Sequence, residues 1–149
     1  MPHRVHIQNR QRKLKVDTDR VRQRMLAVLG GEVAAAPVEI GLVLLRDAPL
    51  AELNRQYRGR AGATDVLAFP VDASAWPPGE PRSLGEVVLS VDRAQVQARE
   101  RGLDVQLELE RLAVHGTLHL LGYRDATPGE RARMRRREDR YLGLRTRRR

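Results

Sequence analysis

Two histidines stand four residues apart in an apolar run, Val114-His115-Gly116-Thr117-Leu118-His119-Leu120-Leu121-Gly122-Tyr123. On a helix, positions i and i+4 share a face one turn apart, so two imidazoles in this spacing can grip one metal ion. The outer residues of the H-E-x-x-H motif work in this way. Here Gly116 stands where that motif has its glutamate, so the metalloprotease base is missing. Gly122 suits a helix C-terminus, because glycine takes the left-handed conformation without a side-chain penalty. The chain then turns through Tyr123-Arg124-Asp125, and Asp125 can swing back toward the imidazoles. Two histidines, one carboxylate and a water make a four-coordinate site with one open position, the pattern of catalytic zinc. The competing reading of the same residues is a pair of buried, hydrogen-bonded histidines with no metal. Two features weigh toward metal: the segment is too apolar to hold polar groups without partners, and the glycine turn delivers a carboxylate at a workable distance.

The elements that position these residues belong to a chain of 149 residues, which is the length of one domain, 1–149, with a sizeable core. There is no cysteine, so disulfides, thiolate sites and cysteine nucleophiles are excluded, and any metal must use histidine and carboxylate. The start, Met1-Pro2-His3-Arg4-Val5-His6, has no signal-peptide h-region, and no apolar run approaches the roughly 20 residues of a membrane span. The cytoplasm is the expected compartment, with no membrane partner. The net charge of +9 is concentrated at the ends. Residues 1–16 carry five Lys/Arg and no acid, and residues 131–149 carry ten Arg against Glu138 and Asp139. The body, 17–130, holds thirteen basic and seventeen acidic residues. Basic ends of this kind, here 1–16 and 143–149, point to a polyanion such as nucleic acid, or alternatively form solvated tails. Aromatic content is 3%, so a stacking platform for bases is thin.

Along the chain, Arg4 to Gln8 alternates as a short strand. Asp17-Thr18-Asp19 opens a helix that runs to Leu29, with Gly30-Gly31 as its stop. Glu39 to Leu45 is a second strand, and Leu50 to Arg58 a short helix. Gly59 to Ala63 is a loop, Thr64 to Pro70 a third strand, and Ala73 to Arg82 an exposed loop containing Trp76. Leu84 to Val91 is a fourth strand, pairing with the third as a hairpin. Asp92 caps a helix ended by Gly102, and Asp104 caps the helix that carries both histidines to Leu121. Apolar residues on most of its circumference make that helix central. Thr127-Pro128-Gly129-Glu130 has the residues of a capping box with proline at N1, opening a last helix to Leu142. The order β-α-β-α-β-β-α-α-α predicts an α+β domain: one mixed, mostly four-stranded sheet packed with about five helices, the metal site on the central one.

With these segments in order, the sequence resembles the YbeY family of bacterial rRNA-maturation endoribonucleases over roughly residues 38–142. Leu53-Asn54-Arg55-Gln56-Tyr57-Arg58 and Thr64-Asp65-Val66-Leu67-Ala68-Phe69-Pro70 are similar to the family's L-N-x-x-Y-R and T-D-V-L-S-F-P. Leu84-Gly85-Glu86-Val87 is similar to its L-G-[DE]-[IV], and His115 to Tyr123 matches its H-G-x-L-H-L-x-G-Y. The family's motif goes on to D-H, whose histidine is the third ligand. This chain has Arg124-Asp125 there, which puts Asp125 in the ligand register. The resemblance implies one zinc per chain on His115, His119 and Asp125. A carboxylate brings harder oxygen character, which leaves Mn²⁺ and Mg²⁺ open. It implies cleavage of single-stranded RNA, in 16S rRNA 3′-end maturation and ribosome quality control, with the small ribosomal subunit as partner. It points to Arg58 as the residue that binds phosphate and stabilises transition-state charge; without the resemblance, Arg58 reads as a surface ion pair at a helix end. Asp65 and Glu86 are base candidates by position alone, Asp65 reading more simply as a loop cap. The competing function is a non-catalytic ribosome-assembly or RNA-binding factor with a structural metal. An open coordination position separates the two.

Overall fold

The structure is a computed structural model and describes residues 2–58, 66–71 and 81–144. Its elements are β1 (Arg4–Asn9), α1 (Thr18–Glu32), β2 (Val38–Leu45), α2 (Asp47–Arg58), β3 (Val66–Pro70), β4 (Arg82–Ser90), α3 (Val91–Arg101), α4 (Val105–Leu120) and α5 (Pro128–Tyr141). The strands form one sheet in the order β1-β2-β4-β3. β1, β2 and β4 are parallel neighbours, and β3 pairs antiparallel with β4 at the edge. The expected α+β architecture and the β3–β4 pairing are both present.

Side-chain alternation explains the layers. Ile40, Leu42 and Leu44 of β2 and Val87 and Leu89 of β4 face α1 and α4, where they pack on Met25, Leu29, Leu109, Leu112 and Ala113. Val43, Leu45 and Val88, with Leu67 of β3, face the other way and are covered by Leu50 and Leu53 of α2. A central strand covered on both faces needs the near-continuous apolar run that residues 40–45 supply. Each fully buried leucine contributes about 1.5–3 kcal/mol.

Two local expectations change. The first helix does not stop at Gly30-Gly31 but runs on to Glu32. A Cβ on Gly31 would lie 2.5 Å from the Tyr141 hydroxyl oxygen, so the glycine makes room for α5. Glycine inside a helix costs about 1 kcal/mol, which the Tyr141 packing and its hydrogen bond to Glu32 offset. The cap of α3 is Ser90, whose Oγ accepts the Arg93 N–H at 3.2 Å, and not Asp92. Asp104 does hold the cap position of α4, but its side chain makes no capping hydrogen bond. The Thr127 capping box forms as expected, with Oγ1 accepting the Glu130 N–H at 3.1 Å and Glu130 accepting the Thr127 N–H at 3.0 Å. The 59–63 loop, Asp65, Trp76 and residues 145–149 lie outside the described residues. Among the described residues, no helix is long and apolar enough to cross a membrane.

Asp92 ties three segments instead of capping one. It accepts from Lys13 Nζ at 2.6 Å, from Arg46 Nε at 3.0 Å and from the Asp47 N–H at 2.8 Å. Burial pushes its carboxyl up, but these donors outweigh burial and hold it well below the usual carboxylate range. A depressed folded-state pKa adds stability that is present above the unfolded value of about 3.9 and lost as pH falls below it. Asp92→Asn is therefore expected to cost about 1–3 kcal/mol at pH 7, with the gap to the wild type closing as urea midpoints are followed from pH 5 toward pH 2. A gap constant over that range would contradict this role.

Candidate metal centre

Helix α4 reaches the sheet edge because it lacks a side chain at one position. A Cβ on Gly116 would lie 2.5 Å from Val87 Cγ1 and 3.1 Å from Val66 Cγ2. The bare Cα lets α4 press on β3 and β4, which carries its two histidines to the sheet edge. The glutamate of H-E-x-x-H has no room here, which gives the sequence departure a steric cause.

The end of α4 supplies the turn. Gly122 takes φ +96°, the left-handed region glycine favours. Its N–H donates to His119 O at 3.0 Å, and the Tyr123 N–H to Leu118 O at 3.1 Å, the paired bonds of a Schellman motif. The turn leaves the Tyr123 carbonyl facing back, where it accepts from His119 Nδ1 at 3.0 Å. His115 Nδ1 donates to Glu138 Oε2 of α5 at 2.7 Å. A backbone carbonyl and an ionised carboxylate only accept, so both imidazoles carry their proton on Nδ1 and present Nε2 lone pairs.

Those two Nε2 atoms are 3.0 Å apart. Asp125 Oδ2 lies 3.2 Å from Nε2 of His119 and 3.6 Å from Nε2 of His115. Donors held at 2.0–2.1 Å around a tetrahedral ion sit roughly 3.3 Å from one another, so this triangle has the right size. Two facing lone pairs repel unless a proton or a cation lies between them, and a carboxylate beside them favours the cation. Hence His115, His119 and Asp125 could hold a metal ion. Their side chains are 20%, 28% and 45% exposed, so the fourth position opens to solvent. It opens into a groove of about 400 Å³ whose other wall is Val66, Ala68 and Pro70 of β3.

Behind the donors stands a layer that sequence reasoning missed. Glu138 is 4% exposed, and its second oxygen accepts from Arg111 Nη1 at 3.2 Å. Arg111 also holds the fully buried Glu108, through Nε at 2.5 Å. Glu32, at the end of α1, accepts the hydroxyls of both Tyr123 and Tyr141, with Arg137 nearby at 3.5 Å. Burial raises the Glu32 carboxyl, and the two tyrosine donors and Arg137 more than reverse this. Burial and the same carboxylate push Tyr141 up to about 12. The only sequence signal for Glu138 is an acid in an arginine-rich helix, which alone means nothing. Glu86 does not reach the groove; it lies with Val88 and Phe69 on the other sheet face. Arg58 is the last residue of α2, and its guanidinium lies outside the described residues.

The class is thus a mixed-sheet α+β domain whose central helix, with the turn that follows it, brings together two histidines and one carboxylate that could hold a metal ion at the sheet edge. Comparison with known proteins narrows the class. The model of the family Endoribonuclease YbeY matches residues 6–144. A relative named Endoribonuclease YbeY from Roseiflexus sp. (strain RS-1) is 44% identical over 137 residues, 87% of this chain and 86% of its own. One of the same name from Pelotomaculum thermopropionicum is 42% identical over 149 residues, covering 93% and 95%. The solution structure of TM1509 from Thermotoga maritima shares the fold, with a TM-score of 0.64 at 23% identity over 93% of this chain and 86% of that one. The chain belongs to the YbeY endoribonuclease family, and it is an enzyme of that kind, a hydrolase acting on RNA.

Outer partners that orient a ligating histidine are worth about 10–100-fold in metal affinity. Glu138→Ala is expected to weaken zinc binding by that factor, measured by competition with a chromophoric chelator, with far-UV circular dichroism unchanged. Glu138→Gln keeps an acceptor oxygen and should lose less. Wild-type affinity in a folded Glu138→Ala protein would remove Glu138 from the site.

Proposed function

We propose that the chain is a metal-dependent, single-strand-specific endoribonuclease that matures rRNA at the 3′ end of 16S rRNA, working in the cytoplasm on the small ribosomal subunit. The observation that carries this reading is the convergence of His115 Nε2, His119 Nε2 and Asp125 Oδ2 on one point with a solvent-open fourth position. Openness favours catalysis over a structural metal, because structural sites close all four positions with protein. Family membership supplies the RNA substrate.

In this reading His115, His119 and Asp125 hold one zinc ion. When bound, such an ion supplies Lewis-acid polarisation of a phosphoryl oxygen and of the attacking water. Glu138 and the Tyr123 carbonyl keep both imidazoles in the tautomer that ligates. Val66, Ala68 and Pro70 form the wall against which the RNA backbone lies. Arg58 binds a phosphate and stabilises charge that develops in the transition state. The carboxylate third ligand leaves Mn²⁺ and Mg²⁺ as further candidates. The basic ends, 1–16 and 143–149, add sequence-independent attraction to RNA.

Elemental mass spectrometry of the purified chain tests the centre: about one zinc per chain is expected, lost in His119→Ala. No metal in either protein after incubation with zinc would reject the ligand set. Arg58→Ala tests the chemistry. It is expected to keep fold and metal while cleavage of a single-stranded RNA oligomer falls by about 10²–10³-fold, the usual loss when one transition-state donor is removed. Unchanged turnover would reject its role.

A further inference from the structure

The metal donors do not sit at the end of a single groove. His115 and Asp125 also line a second cavity, of about 510 Å³, on the side of the triad away from β3. Its walls come from α5, the α3–α4 turn and the end of the described chain, and its chemistry differs from that of the first groove. Arg101, Arg131 and Arg135 stand around it, with Leu103, Met134 and Leu144 between them. Met134 forms a buried floor at 2% exposure, while Leu103 and Leu144 are 39% and 45% exposed.

We infer that this cavity is a second RNA subsite, which takes the phosphate backbone and one base of the strand on the far side of the scissile bond. The inference rests on the ribonuclease reading above and deepens it. An endonuclease must accommodate strand on both sides of the bond it cuts. Two cavities that share His115 and Asp125 as a common wall give a continuous path past the reacting phosphate, which a single pocket would not. The occupant follows from the chemistry: guanidinium groups match phosphate oxygens bidentately, and the apolar patch suits a base or ribose face.

The charges around the cavity are not all free to meet an anion. Arg111 is held by Glu108 and Glu138 behind the surface, and Arg101 shares Glu108 at 3.6 Å. Arg131 donates to the backbone carbonyls of Asp125 and Ala126, at 3.3 Å and 3.2 Å. Those acceptors are neutral carbonyl oxygens, and among the described residues no carboxylate lies within ion-pair distance of Arg131. Arg135 follows one turn later on the same face of α5, near Asp139. Burial and the adjacent Glu138 charge raise the Asp139 carboxyl, against the opposing pull of Arg135 and Arg111. Leu144, the last described residue, is in the cavity wall.

Arg131 also braces the Asp125 loop, so the clean test is Arg135→Glu. Arg136→Glu is the control: the same helix and the same change of net charge, at a residue outside the cavity. Both proteins are used zinc-loaded, with metal content checked. The probe is a 12-nucleotide single-stranded RNA assayed across a KCl series. Arg135→Glu is expected to raise KM at least about tenfold more than Arg136→Glu. It should also flatten the log–log salt dependence by about 0.7, one phosphate contact on a single strand. Equal effects of the two substitutions overturn the subsite. If the wild type cleaves no RNA, the functional reading fails on its own. The subsite is then judged by anisotropy with the 2′-O-methyl form of the oligomer, where equal Kd values for the two variants overturn it.

Discussion

A missing methyl group is the constraint on which the site depends. Gly116 lets α4 lie against Val87 and Val66 more closely than any helix with a side chain there. Everything at the centre is a consequence of that approach. It brings His115 and His119 beside the edge strand, gives them an apolar wall in β3, and leaves one side open. Any larger residue at 116 would push α4 off the sheet or force β4 to yield, and packed cores resist such shifts. The same contact excludes the glutamate that a zinc peptidase requires. One steric fact therefore both sets where the two histidines stand and excludes a glutamate between them.

Placing imidazoles is not the same as orienting them. Each ring is fixed from behind by an acceptor on a different element: Glu138 from α5 for His115, and the carbonyl left by the C-terminal turn of α4 for His119. A buried carboxylate is costly unless it is paired, and Glu138 is paired twice, with His115 and with Arg111. Arg111 in turn neutralises Glu108 on its own helix. Glu32 does similar work from α1, joining Tyr123 of the turn to Tyr141 of α5. The buried charge in this part of the molecule is thus a scaffold that locks α1, α4 and α5 into one arrangement. Truncating one member would leave its partner uncompensated, which is why such networks hold geometry even where they add little net stability.

The parts of this design that were legible in the sequence are those carried by short spacing. The i, i+4 histidines, the glycine turn, the carboxylate six residues later and the Thr127 capping box are each local, and each appears where the spacing puts it. What the sequence concealed is non-local. Gly30-Gly31 has the composition of a helix stop, but the ring of Tyr141, 110 positions on, is what makes a glycine necessary at 31. Ser90 and Asp92 are both acceptable caps by type. Asp92 is drawn off by Lys13, Arg46 and the Asp47 N–H, which no local pattern reveals. Glu138 is one acid among arginines until α5 is folded against α4. The strand order, with β4 inserted between β2 and β3, was equally out of reach, because alternation fixes faces and not neighbours.

The third donor shows how a substitution at a ligand position is absorbed. An aspartate is shorter than a histidine, so a backbone that delivers it must come closer to the two imidazoles. Here the chain around Asp125 is held from both sides. The Schellman turn fixes Gly122 and Tyr123, and the capping box fixes Thr127. Between them Arg131 reaches back from α5 to the carbonyls of Asp125 and Ala126. The result is a carboxylate set 3.2 Å from one imidazole and 3.6 Å from the other, with its charge directed at the position a cation would occupy. A cation held by one carboxylate and two neutral imidazoles carries one positive charge less than it would with three imidazoles, and so polarises a phosphate less strongly. In the proposed reading, the arginines around the second cavity would offset this by drawing the polyanion toward the centre from the side.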